Sequence, residues 1–178
     1  MADFVKYGTI ISLDKDFIEK VKAYEPPKFI GKVKIKGKME ISIQHILMSW
    51  NIKEDSQLLP ITAKAYGLNP DKIDKYPLID FIRLTIELQE ISEKAAKMFM
   101  ELKRENKDSE LQSVLEGFST SDLGLIDRFV KRCGGAYTHD TASDVSWYIV
   151  YTAFKEDTDE YDKQLAISEI MEKRNGNK

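Results

Sequence analysis

The stretch from Pro77 to Asn106, PLIDFIRLTIELQEISEKAAKMFMELKREN, carries Phe81, Leu84, Leu88, Ile91, Ala95, Met98 and Leu102 in steps that alternate between three and four residues. That spacing lays one apolar seam along a long α-helix, as in helical bundles and coiled coils. Pro77 fits the first turn, where its missing N–H is one the helix leaves unpaired anyway. Glu87, Glu90, Glu93, Lys94 and Lys97 fall on the remaining surface, with Glu90 and Lys94 as an i,i+4 pair of the favourable order. The seam is either an interface inside a bundle or a self-association surface of a homo-oligomer, and at 178 residues the internal use is favoured.

Upstream, residues 1–27 read as an irregular arm in which Asp14 can cap a short helix with Phe17, Ile18 and Val21 on one face, stopped by Pro26-Pro27. From Lys28 to Ile43 the residues Ile30, Val33, Ile35, Ile41 and Ile43 are interleaved with Lys32, Lys34, Lys36 and Glu40, the period of a half-exposed strand. The expected hairpin turn is Lys36-Gly37-Lys38. A helix then opens at Ser42 or Gln44 and carries Ile46, Leu47 and Trp50. A second begins near Ser56, buries Leu58, Leu59, Ile61, Ala65 and Tyr66, and ends at Gly67. Asn69-Pro70 starts a brief third that Tyr76-Pro77 interrupts.

Downstream, a short helix with Leu111, Val114 and Leu115 meets Gly117, and Ser119, Thr120 and Ser121 offer caps for the next. There Leu123, Ile126, Phe129, Val130 and Cys133 share a face until Gly134-Gly135 terminates it. Val145 to Phe154 has strand-like composition, yet Val145, Tyr148, Ile149 and Thr152 fall at helical spacing behind the caps Thr141, Ser143 and Asp144, so a buried helix is expected. A last helix spans Asp159 to Arg174, acidic in its first turn and basic in its last, as the helix dipole prefers. The expected fold is mainly α: a helical bundle with a small N-terminal β-hairpin. After the arm it forms one domain, 28–178, which can divide into lobes at 28–106 and 107–178.

Composition narrows function. With 42% hydrophobic and 32% charged residues, a net charge of −3 and one cysteine, the chain reads as a water-soluble globular protein without an internal disulfide. No apolar run spans a bilayer and no signal peptide is legible, so a cytoplasmic setting without membrane partners is expected, the host cytoplasm if a phage encodes the chain. Residues 1–76 hold 13 basic and 10 acidic side chains, and residues 77–178 hold 14 and 20. A mildly basic front and an acidic rear argue against nucleic acid as a partner.

Catalytic chemistry finds little purchase. His45 has no second His or Cys nearby, and His139 with Asp140 and Asp144 is read as a capping loop over an acid–base pair. Cys133 sits at a helix C-terminus, the wrong dipole end for a reactive thiol. No metal, no cofactor and no catalytic residue is expected. Met98-Phe99-Met100 stands out, because methionine suits adaptable apolar surfaces as well as ordinary cores, and Trp147, Tyr148, Tyr151 and Phe154 form either the rear core or a groove.

Taken in order, the hairpin Lys32 to Ile43 around Gly37, the segment from Leu58-Leu59 to Tyr66-Gly67, the short turn Asn69 to Tyr76 and the opening Pro77-Leu78-Ile79-Asp80-Phe81 resemble phage tail assembly chaperones. The resemblance covers residues 28–91. It implies a non-catalytic protein that keeps the long tape measure protein, or another tail protein, from aggregating. The client surface expected under that reading is Leu84, Leu88, Met98, Phe99 and Met100, meeting apolar helical segments in a groove. The competing reading is a small phage or bacterial adaptor or inhibitor that binds a folded host protein through the acidic C-terminal half.

Overall fold

The computed structural model describes residues 15–52, 54–102 and 122–175. The fold is mainly α with one small antiparallel hairpin, as expected. In chain order it comprises α1 (Lys15–Lys22), β1 (Phe29–Ile30), β2 (Val33–Lys34), α2 (Ile43–Trp50), a 3-10 turn (Asp55–Gln57), α3 (Leu58–Ala65), a second 3-10 turn (Pro70–Lys75), α4 (Leu78–Glu101), α5 (Asp122–Arg132), α6 (His139–Ser143) and α7 (Trp147–Asn175). The expected Asp14 cap, the end of the long helix beyond Leu102, the Leu111–Leu115 helix, Gly117 and the caps Ser119 to Ser121 lie outside the described residues.

Helix α4 is the axis of the body. Phe81, Leu84, Leu88, Ile91 and Ala95 are all buried, so the seam is an internal interface packed against α1, α2, α3 and α7. Pro77 stands just before the helix instead of in its first turn. Two charged residues of α4 depart from the expectation. Glu87, placed by periodicity on the surface, is only 3% exposed, because Tyr66 Oη donates to its carboxylate at 3.1 Å and Lys38 Nζ lies 3.0 Å away. The Glu90 carboxylate turns to Lys22 at 3.9 Å and to the buried Arg83 at 3.8 Å, away from Lys94. Arg83 Nε also donates to Tyr24 O at 2.9 Å, which ties the end of α1 to α4 and makes the arm from Lys15 onward part of the body.

The hairpin is shorter than its alternation suggests and turns elsewhere. Phe29 pairs with Lys34 and Ile30 with Val33, around Gly31-Lys32. Gly31 takes a φ of 59°, which a two-residue hairpin loop requires and other residues resist. Gly37 instead starts a separate turn, its N–H donating to Glu40 Oε2 at 2.6 Å. Ser42, just ahead of α2, is extended, and with its two neighbours it pairs with the rear of the molecule. Ser42 bridges Ser146 antiparallel, Ile43 N donates to Val145 O at 2.8 Å and Trp147 N to Ile41 O at 3.0 Å. The starts of α2 and α7 are thereby joined across about a hundred residues of chain.

Behind that junction α7 runs unbroken from Trp147 to Asn175, merging what the sequence divides into two helices. Its N-terminal half buries Trp147, Val150 and Ala153, whereas Tyr148 and Ile149 face outward. The expected inner face of Val145, Tyr148, Ile149 and Thr152 is therefore rotated. The acidic turn survives because Arg132 of α5 clamps it, Nε donating to Asp157 at 2.9 Å and Nη2 to Glu156 at 3.1 Å. Phe129 meets Phe154 edge-on, and Arg128 lies over the Phe154 ring. One buried cluster runs from Ile30 through Phe81 and Leu88 to Phe129, Trp147 and Ala153. No helix among the described residues is long and apolar enough to cross a membrane.

Candidate partner-binding surface

The residues expected to meet a client are divided by the fold. Leu84 and Leu88 are fully buried in the core and line no open groove. Met98 and Phe99 are half-buried against it, Phe99 lying edge-on to both Trp50 and Tyr151 with ring centroids 6.2 and 5.7 Å apart. Met100 alone of the five is open, at 65% exposure. The end of α4 thus contributes one exposed methionine beside an aromatic stack that closes the gap between α2 and α7.

An apolar recess of about 360 Å3 lies elsewhere, between α2, α3 and α5. Leu47 and Met48 come from α2, Ile61 from α3 and Ile126 from α5, with Gln44, Asn51 and Gln57 adding amides. Ligand pockets span roughly 300–1,000 Å3, so this one suits a few side chains rather than a large ligand. Two of its polar groups are already held in place: Gln44 Nε2 donates to Asp144 Oδ1 at 2.7 Å and Asn51 Nδ2 to Leu47 O at 3.0 Å. Met48 is nearly half exposed and conformationally adaptable. The recess joins residues 44–61 to Ile126, a juxtaposition that no local sequence pattern encodes.

The titratable side chains near these elements are engaged by their neighbours. Ser42 Oγ and His45 Nδ1 share a 2.6 Å hydrogen bond at the start of α2, both buried. Burial, and after it the charge of Lys36, holds the imidazole below its ordinary value. His139 Nε2 lies 3.2 Å from Asp127 Oδ1, and Lys131 Nζ 2.6 Å from Oδ2. Hydrogen bonds from Lys131 first and His139 second keep the Asp127 carboxyl below the usual range. His139 is also the first residue of α6, which Thr138 and Thr141 close in a reciprocal capping box, so the polar loop serves as caps. Among the described residues no three His, Cys, Asp or Glu side chains gather as a metal would need.

His45 and Tyr66 bracket the stable pH range. The native state disfavours a proton on His45, so protonation of the unfolded chain below about pH 6.5 drains stability as the medium is acidified. Tyr66 is the opposite case: burial, then the adjoining Glu87 carboxylate, raises its phenol well above the ordinary value. Above about pH 10 the unfolded chain loses that proton while the native chain keeps it, and stability falls again. The denaturation midpoint should be highest between these limits, and His45→Gln should flatten the acid limb between about pH 7 and 5. An unchanged acid limb in that variant would refute the assignment.

Comparison with family models, with curated proteins and with solved structures finds no match for this chain.

Proposed function

We propose that this protein works by binding another protein, in the manner of a phage tail assembly chaperone that receives apolar helical segments of a tape measure or other tail protein in the host cytoplasm, without catalysis, cofactor or nucleic acid. The recess between α2, α3 and α5 is the observation that carries this reading. Its walls, Leu47, Met48, Ile61 and Ile126, suit aliphatic side chains, and its amides suit the polar flank of an amphipathic helix. Two of its three walls, α2 and α3, belong to the 28–91 segment on which the resemblance rests. The client surface moves accordingly from Leu84 and Leu88 to Met48 and its neighbours, with Met100 as an outlying contact.

Co-expression with a long helical tail-protein fragment tests it. The fragment should stay in the supernatant and elute with the protein. A fragment equally insoluble with and without it, and no complex on size exclusion, would defeat the proposal.

A second reading has its own observation. Glu156, Asp157, Asp159, Glu160 and Asp162 stand exposed along two turns of α7, and although Arg132 engages the first two and Lys163 engages Glu160, carboxylates outnumber cations there, which suits an adaptor or inhibitor of a basic host protein. Electrostatic docking of that kind weakens steeply as salt rises, whereas apolar capture changes little.

A further inference from the structure

We propose that the distal half of α7 is a self-association face on which a second copy of this chain lies antiparallel. From Asp159 to Arg174 every side chain is exposed, including Ile167, Ile170 and Met171 at 49%, 54% and 57%. These three share one side of the helix with Glu156, Glu160, Lys163 and Arg174, since positions 156, 160, 163, 167, 170 and 174 step alternately by four and three. Tyr161 and Leu165 lie on the other side.

The charge along this stripe selects the occupant. Glu156, Asp159 and Glu160 stand at one end, Lys173 and Arg174 at the other. A parallel copy would set Glu160 on Glu160 and Lys163 on Lys163. An antiparallel copy, related by a two-fold axis that crosses the face at the level of residue 165, sets Arg174 across from Glu156 and Lys173 beside Asp159 at both ends. It also lays the Lys163 stem over Ile167 and brings Ile170 to Glu160. The Glu156 side chain remains 74% exposed while paired with Arg132, so it has room for a second guanidinium. The contact is isologous: the same patch serves both copies, and the assembly closes at two. Three half-exposed aliphatic side chains per copy fall short of the roughly 1,200–2,000 Å2 that stable interfaces bury, so the dimer forms in a concentration-dependent equilibrium. This face is separate from the recess, and its fate does not depend on the client.

Sedimentation velocity of the full chain over a wide concentration range tests the inference. The wild type should pass from monomer to dimer as concentration rises. Ile167→Glu with Ile170→Glu should weaken the dimer by more than about tenfold, with helix content and Tm unchanged at concentrations where the wild type is monomeric, because neither side chain enters the core. Asp159→Lys and Lys173→Glu should each weaken it alone, and an equal mixture of the two should regain a mixed dimer with opposite signs at both ends. A chain monomeric at every concentration would leave this face to a different protein and overturn the inference. A dimer indifferent to the isoleucine replacements, or a mixture that regains nothing, would overturn it too.

Discussion

Replacing Trp147 with Ala should lower the stability of this protein by about 3–5 kcal/mol, the range for deleting a large buried aromatic. Trp147 is 2% exposed, and its indole Nε1 donates to Lys38 O at 2.9 Å while its backbone N–H donates to Ile41 O. The side chain therefore fills the core and holds the 38–43 segment onto the first turn of α7. Truncation leaves a cavity and a carbonyl without its donor. Against the roughly 5–15 kcal/mol that keeps a domain folded, such a loss is a large share. The variant also carries its own reporter, because Trp50 remains as the single tryptophan, in α2 against Phe99. If front and rear fold as one body, Trp50 fluorescence and far-UV circular dichroism will shift together to lower denaturant. A Trp50 transition that stays where the wild type has it would mean that the halves fold separately.

Glu87→Ala is expected to be the second most damaging change. It strands the Tyr66 hydroxyl in a fully buried site, worth about 1–3 kcal/mol for the lost acceptor alone, and it frees Lys38 from the surface of α4. A double-mutant cycle isolates the pair. Tyr66→Phe combined with Glu87→Ala should cost less than the two single changes added, by about 0.5–3 kcal/mol, since no hydroxyl is then left without a partner. Strict additivity in denaturant unfolding would show that the phenol and the carboxylate do not act on each other.

These two residues also show where the sequence was readable. The α4 seam could be read because its partners are other helices, and a period of three and four residues is enough to name the buried positions. Glu87 could not, because its burial depends on Tyr66 and Lys38, whose approach no local pattern encodes. The lysine–isoleucine alternation runs past Gly31 and Gly37 with equal regularity, so it does not single out Gly31, the one with positive φ, as the hairpin turn. The inner face of α7 was misplaced for a related reason. The backbone bonds between Ile41–Ile43 and Val145–Trp147 set that helix's rotation, and they turn Trp147, Val150 and Ala153 inward instead of Tyr148 and Ile149. The stretch 155–158, which falls between the two expected helices, contains neither Gly nor Pro, and Arg132 holds its carboxylates Glu156 and Asp157. Of the expected client residues, the heptad signal chose Leu84 and Leu88 for the same apolar regularity that puts them in the core. The recess proposed for the client is assembled from α2, α3 and α5, and only the folded chain brings Met48 and Ile126 together.

An apolar client segment is proposed to dock at Met48 and its neighbours. The most direct test is size-exclusion chromatography of the protein with a helical tail-protein fragment, comparing the wild type with Met48→Glu at low and high salt. Because Met48 is nearly half exposed and stands outside the buried cluster, the variant should fold as the wild type does. The wild type should form a complex that persists at both salt concentrations and that Met48→Glu abolishes. A complex that forms equally well with Met48→Glu, or one that high salt dissolves in the wild type, would contradict it.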